Sequence, residues 1–156
     1  VYVKSVSRVR IPPAPPLDLP EQLLSVLARA FKQLIDTVSL TANLPVGTPI
    51  DLQILRQAEN RLKNIEFRLQ FELLRAEDNN DWALADLLYD AIEQCQKALN
   101  AVRGALIRLV VIGTDHAQII AQCRSIRQDI DRAVRTQQVI DYFIRVAILV
   151  RRFVGV

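Results

Sequence analysis

The sequence has little of the residue chemistry that catalysis and metal binding use most. Its 156 residues include one histidine, one tryptophan, two cysteines, four glycines and no methionine. A single histidine cannot supply the paired Glu-x-x-His motifs of a helical di-metal site, and the cysteines and histidine do not have a zinc-binding spacing. No glycine-rich phosphate loop is present in the sequence. We therefore expect no metal and no cofactor, and an enzyme is the least favoured class of function.

The body of the chain also lacks a net charge. The formal charge of +3 comes from Lys4, Arg8 and Arg10, because the residues after position 16 carry 17 basic and 17 acidic groups. A nucleic-acid-binding protein needs a concentrated basic face, so this balance argues against a nucleic-acid partner. No stretch reaches the roughly 18–20 uncharged apolar residues of a membrane-spanning helix, and no signal peptide is visible. The lack of these segments, together with the presence of only two cysteines, predicts a cytoplasmic protein.

The prolines are concentrated near the N-terminus. Four of the seven lie at positions 12, 13, 15 and 16. They predict an extended leader over residues 1–17, followed by one helical domain over residues 18–156. Residues 8–16 can also be encoded by the 3′ end of a transfer-RNA gene, including its terminal CCA. Our hypothesis is that the leader is translated from such a gene end in a prokaryote and is not native; different codons over residues 8–16 would contradict it.

Helical periodicity begins after this leader, and no proline follows Pro49. The apolar pattern predicts four helices, over residues 19–40, 49–78, 81–113 and 114–153. Asp18, Thr48 and Thr114 are the expected N-caps, and Gly113 is expected to end the third helix in a left-handed conformation. Amphipathic helices with short connections predict an all-α fold, an antiparallel up-down four-helix bundle. Its C-terminal helix would be overlong, at roughly 60 Å.

The third predicted helix carries a seam of small and apolar residues at alternating steps of three and four. The seam consists of Leu84, Leu88, Ala91, Cys95, Ala98, Val102, Ala105 and Leu109. In a hairpin with the fourth helix, Cys95 and Cys123 would lie at levels that differ by roughly 12 Å, too far apart for a disulfide. We expect both thiols to fill small spaces in the core.

The C-terminal helix has apolar residues over more than half of its circumference. Its widest face contains Val139, Phe143, Val146, Val150 and Phe153. A helix that is apolar over so wide an arc needs partners on several sides, and an overhanging end would expose an interaction site. These residues, with Trp82 as a further anchor, predict a non-enzymatic protein that self-associates as a homo-oligomer or binds a partner helix. On this interpretation, Phe143→Asp breaks the assembly and leaves the helix content intact.

Two other interpretations use neighbouring charges. Arg145, Arg151 and Arg152 beside the apolar arc suggest attachment to a membrane surface as an alternative function. Residues 77–93 contain six acidic residues and no basic residue, which predicts either a solvated face or a complementary contact that fixes how two chains or two helices dock. Asp86, Asp90 and Glu93 share one face of the third helix. We expect this face to be solvated and not to hold a divalent ion. His116, in the first turn of the fourth helix, is expected at the surface.

Overall fold

The computed structural model describes the backbone of residues 14–155 and the side chains of residues 24–155. Over this range the chain forms five helices and no β-strand. They are α1 (Ala14–Ser39), α2 (Leu52–Asp78), α3 (Trp82–Leu106), α4 (His116–Arg132) and α5 (Thr136–Phe153). The all-α class is therefore confirmed, whereas the predicted number of four helices is wrong. Most of the predicted leader lies outside the described residues, but α1 already begins at Ala14, inside it.

Both helices of the α2–α3 hairpin begin after an N-cap residue with a short polar side chain, the kind that a helix start favours. Asp51 caps α2 by accepting a hydrogen bond from the Gln53 amide at 2.8 Å. Asp81 caps α3 by accepting from the Leu84 amide at 3.2 Å. Between the two helices, Asn80 takes a left-handed conformation with φ 58°, which asparagine tolerates better than most residues. The predicted end of the second helix at residue 78 is confirmed, but its start lies at Leu52 and not beside Thr48.

The loops on either side of this hairpin pair with each other, which explains the shifted helix ends. Ile50 donates a backbone hydrogen bond to the Val110 carbonyl at 2.9 Å, and Ile112 donates to the Thr48 carbonyl at 2.8 Å. These bonds hold an isolated antiparallel bridge between Pro49 and Val111. Backbone amides and carbonyls in both loops are bonded in this pairing. They are therefore not available for the hydrogen bonds of longer helices. Consequently α3 ends at Leu106, seven residues before the predicted end at Gly113.

The predicted fourth helix is broken into α4 and α5. Ala133 and Arg135 have extended backbones, and the Gln138 side chain accepts hydrogen bonds from the amides of Val134 and Arg135 at 3.1 and 3.2 Å. The break is explained by a change in the direction of the apolar stripe along the sequence. On one continuous helix, the apolar stripes of residues 119–130 and 139–153 would point in directions that differ by roughly 160°, at 100° per residue. The break lets each stripe face the core.

Helix α5 lies at the centre of the packing. It contacts α3, α4 and α1, while α2 contacts α1 and α3. Phe143 of α5 stacks on Phe31 of α1, with ring centroids 4.5 Å apart. Helix α4 runs antiparallel to α1, because Lys32 pairs with Asp131 and Asp36 pairs with Arg127. Thus α4 folds back over α1 and α5 instead of ending in an extended helix.

Both cysteines lie in this core as the sequence predicts. Cys95 and Cys123 are fully buried free thiols. The Cys95 thiol donates to the Leu62 carbonyl at 3.4 Å. Burial raises the pKa of each thiol to about 12, so the thiolate that cysteine chemistry requires is strongly disfavoured. Both cysteine side chains therefore serve to fill the core.

The α4–α5 break yields a stability prediction. Gln138→Ala removes the side-chain oxygen that accepts from two amides at the start of α5. We expect the free energy of unfolding in urea to fall by about 1 kcal/mol. Gln137→Ala is the matched control, since that neighbouring side chain is exposed. Equal losses for both variants would show that the Gln138 cap does not stabilise the break.

Candidate functional site

The structure buries the C-terminal residues that the sequence suggested as an interaction surface. Val139, Phe143, Val146, Val150 and Phe153 are each at most 2 % exposed. The overhang on which that prediction depended does not form, because the chain breaks at residues 133–135 and α5 inserts between α1, α3 and α4. The wide apolar arc is therefore covered by helices of the same chain. Of the suggested anchors, Trp82 is exposed at the surface, at 58 %.

Two of the three arginines near the end of the chain, Arg145 and Arg151, are engaged by neighbouring side chains. Arg145 pairs with Asp141 at 3.3 Å, and Arg151 donates to the Gln94 side chain at 3.0 Å. The membrane-surface alternative also needs the apolar face of α5, which is buried. Over residues 14–155, none of the helices combines the length and the apolar character that crossing a bilayer requires.

His116 is buried, contrary to the sequence expectation of a surface residue. Its Nδ1 accepts from the Gly113 amide at 2.7 Å, and its Nε2 lies 2.6 Å from the Phe153 carbonyl oxygen. Because a carbonyl oxygen can only accept, Nε2 is the donor in this contact. The ring also packs edge-on against the Phe153 ring, with centroids 4.7 Å apart. His116 thus joins the start of α4 to the end of α5, and both of its nitrogens are used.

Gly113 and Arg108 complete this junction. A Cβ added to Gly113 would lie 3.3 Å from the Asp115 carboxylate and 3.4 Å from His116 Nδ1. The glycine therefore permits a close approach of side chains, and it does not end a helix as expected. Arg108 donates to the Val154 carbonyl at 3.1 Å, which satisfies one of the carbonyls left free at the end of α5. These contacts hold the start of α4 and the loop before it against the end of α5.

The remaining candidates for chemistry are dispersed. Within residues 24–155, no group of three or more metal-ligating side chains is brought together. Asp86 and Asp90 are exposed on α3, and Glu93 pairs with Lys97 at 3.0 Å. These carboxylates therefore form part of a charged surface.

The α2–α3 hairpin exposes large apolar side chains on its outer side. We name this surface the hairpin face; it consists of Phe67, Phe71 and Leu74 of α2 with Trp82 and Tyr89 of α3, all 53–70 % exposed. The three α2 residues are spaced four and three apart, so they share one side of that helix. The Tyr89 hydroxyl donates to Glu77 of α2 at 2.6 Å, which ties Tyr89 to the neighbouring helix of the hairpin.

Except for Trp82, the sequence reasoning missed this face. The core stripe of α2, from Leu55 to Ala76, explains why α2 packs inwards. Phe67, Phe71 and Leu74 lie on the opposite side, roughly 160° away on a helical wheel. This second apolar stripe could have indicated an exposed apolar surface in the sequence, because burial against the core accounts for only one side of a helix.

Carboxylates lie along the α3 part of the hairpin face and at its turn. Asp78, Asp86 and Asp90 are exposed, and none of them forms an ion pair among the described residues. Glu77 accepts the Tyr89 hydroxyl, and this hydrogen bond raises the Tyr89 pKa above its ordinary value. The acidic run recognised in the sequence therefore lies beside exposed aromatic and aliphatic side chains.

A groove between α1 and α2 adjoins the face and contains a buried carboxyl. It has a volume of about 250 Å³ and is lined by Val26, Leu27, Phe67, Arg68, Phe71 and Glu72. Glu72 is 7 % exposed, and its Oε2 has no hydrogen-bond partner among the described residues. Desolvation raises the Glu72 pKa, and the charge of Arg75 offsets part of that rise.

Comparisons with family models, with curated proteins and with solved structures found no match for this chain.

The burial of Phe143 reverses the expected effect of its substitution. Phe143→Asp should abolish cooperative thermal unfolding, because it places a charge against Phe31 in the core. The milder Phe143→Ala should lower the free energy of unfolding by about 3–5 kcal/mol. Ile148→Ala on the same helix is the control, and we expect it to change stability by less than about 0.5 kcal/mol, as surface substitutions usually do. A folded Phe143→Asp chain with full helix content would contradict the central position of α5.

The raised pKa of Glu72 predicts a pH dependence. The folded protein binds this proton more tightly than the unfolded chain does, so the stabilisation is present below the ordinary value of 4.5 and is lost as the pH rises through the folded pKa. Glu72→Gln should therefore be more stable than the wild type at pH 7 and nearly equal to it in acid. Urea unfolding at both pH values measures this. The exposed Glu93→Gln control should show no such gain, and a destabilised Glu72→Gln at pH 7 would refute the prediction.

Proposed function

We propose that this protein is a non-enzymatic interaction protein that binds a basic, amphipathic helix of a partner protein through the hairpin face. The observation that supports this most directly is the group of five large apolar side chains, each more than half exposed, on one hairpin. A group of large apolar side chains exposed on one hairpin is typical of an interaction surface. A cytoplasmic, reducing location is part of the proposal, because it suits two free thiols.

The charge around the face selects the kind of partner. Residues 77–93 contain six acidic residues and no basic one. Pairing of the hairpin face with its own copy would bring these carboxylates together, which is unfavourable. A partner with basic side chains around an apolar stripe would instead meet complementary charge. For this reason we favour a different protein over self-association at this surface.

The spacing of the side chains suits a helical partner. Phe67 and Leu74 are seven residues apart on α2, about 10 Å at 1.5 Å per residue. This is the repeat at which apolar residues recur on one side of a partner helix. Trp82 extends the surface towards the hairpin turn. Aromatic anchors of this kind dominate the energy of many interfaces.

Trp82 provides a direct assay because it is the only tryptophan in the sequence. The probe is a synthetic amphipathic helix of leucine and lysine, and an analogue of leucine and glutamate is the charge control. We expect the lysine peptide to shift the Trp82 emission to shorter wavelength as the indole is buried. The glutamate peptide should produce no shift, and added salt should weaken binding, because exposed charges are screened.

A matched pair of variants tests the surface. Phe71→Ala should weaken binding of the lysine peptide at least about tenfold, the effect of losing a hot-spot residue. Ile148→Ala, which trims an exposed side chain of α5, should leave the affinity unchanged. No emission shift at peptide concentrations on the order of 100 μM, or equal affinities for both variants, would refute the proposed function.

A further inference from the structure

The paired loops expose a second apolar surface, at the end of α3 that lies away from Trp82. We name it the loop end; it consists of Val46, Leu52, Ile107, Leu109 and Val111, all more than 40 % exposed. Ile107 and Leu109 are the most exposed of these, at 88 % and 77 %. Part of the loop end borders an open cleft of about 430 Å³, whose lining includes Leu52, Ile107 and Leu109. None of these side chains takes part in the hairpin face.

The backbone of the loop end has an open edge. Ile112 exchanges hydrogen bonds with the residues from Gly47 to Thr48, and the Val110 carbonyl accepts from Ile50. Successive residues of an extended chain direct their backbone groups to opposite sides. The amide and carbonyl of Val111 therefore point away from the first pairing, and neither forms a backbone hydrogen bond among the described residues. Such an edge is a template for another strand.

The loop end also carries almost no charge. Residues 40–50 and 109–114 contain no Asp, Glu, Lys or Arg, and Asp51 and Asp115 lie just outside these ranges. Arg108 lies between the two most exposed residues, but its guanidinium is directed to the carbonyls of Val154 and Gly155. A surface without charge can meet its own copy without repulsion, unlike the acidic hairpin face. A two-fold axis brings identical patches together, so an uncharged apolar patch with an open edge suits self-pairing.

We propose that the loop end binds a second copy of this chain. The extended segment around Val111 pairs antiparallel with the same segment of the other copy, so that the two Val111 residues lie opposite each other and exchange two backbone hydrogen bonds. In this register Leu109 of each copy lies opposite Gly113 of the other, which covers its exposed side chain. This dimer is independent of the partner proposed for the hairpin face, which lies at a distance from it along α2 and α3.

The mass of the full chain in solution tests the proposal. Size-exclusion chromatography with light scattering should give twice the chain mass at concentrations on the order of 100 μM, which populate a dimer of micromolar affinity. Leu109→Lys places a charge in the apolar contact between the copies, and Val111→Pro removes the amide at the open edge. Each should weaken dimerisation at least about tenfold. Both side chains are at the surface, and circular dichroism checks that helix content is retained.

Variants of the hairpin face separate this proposal from the previous one. Trp82→Ala and Phe71→Ala should dimerise as the wild type does. A wild-type monomer at the stated concentration would overturn the proposal, as would a dimer that neither loop-end variant weakens. A dimer that Phe71→Ala weakens as strongly as Leu109→Lys would also overturn it, because the interface would then include the hairpin face. If Val111→Pro loses helix content, Leu109→Lys decides the question.

Discussion

Helix α5 has apolar side chains around most of its circumference, and the rest of the structure provides their cover. Three helices of the chain pack against it, α1, α3 and α4. Since α4 and α5 are consecutive, α4 can cover α5 only if the chain reverses between them. The extended residues at 133–135 make that reversal. The free carbonyls at the other end of α5 are then held by His116 and Arg108.

The parts of the fold that could be predicted from sequence are those with local causes. The end of α2 and the start of α3 follow from the Asn79–Asn80–Asp81 turn, where neighbouring residues supply the caps. The burial of Cys95 and Cys123 follows from their positions in apolar stripes. In each case, the favourable interactions lie within a few residues of the position concerned.

The parts that were missed depend on distant contacts. Residues 107–115 could have continued a helix, but Val110 and Ile112 pair instead with the loop before α2, about 60 residues away. His116 lies on the apolar stripe of α4, three residues before Ile119 and seven before Cys123, but only the return of α5 brings the Phe153 carbonyl to its ring. Similarly, a wide apolar arc shows that a helix needs several neighbours, but it does not show whether they belong to the same chain. The interface assigned to Val139 and Phe143 was an intermolecular interpretation of a contact that is intramolecular.

With α5 covered, the apolar surface that remains is divided between two places of different chemistry. The hairpin face has carboxylates along α3 and at its turn, whereas most residues of the two loops at the loop end are uncharged. Salt should therefore weaken docking at the first and have little effect on pairing at the second. Helix α3 separates Trp82 from Ile107 by about 37 Å, so occupation of one end does not cover the other. A dimer joined at its loop ends would carry two outward hairpin faces. A partner with two basic helices could then bind both at once, and its second contact would form at a high effective concentration. Assembly at the loop end would thus strengthen recognition at the hairpin face without changing a single contact there.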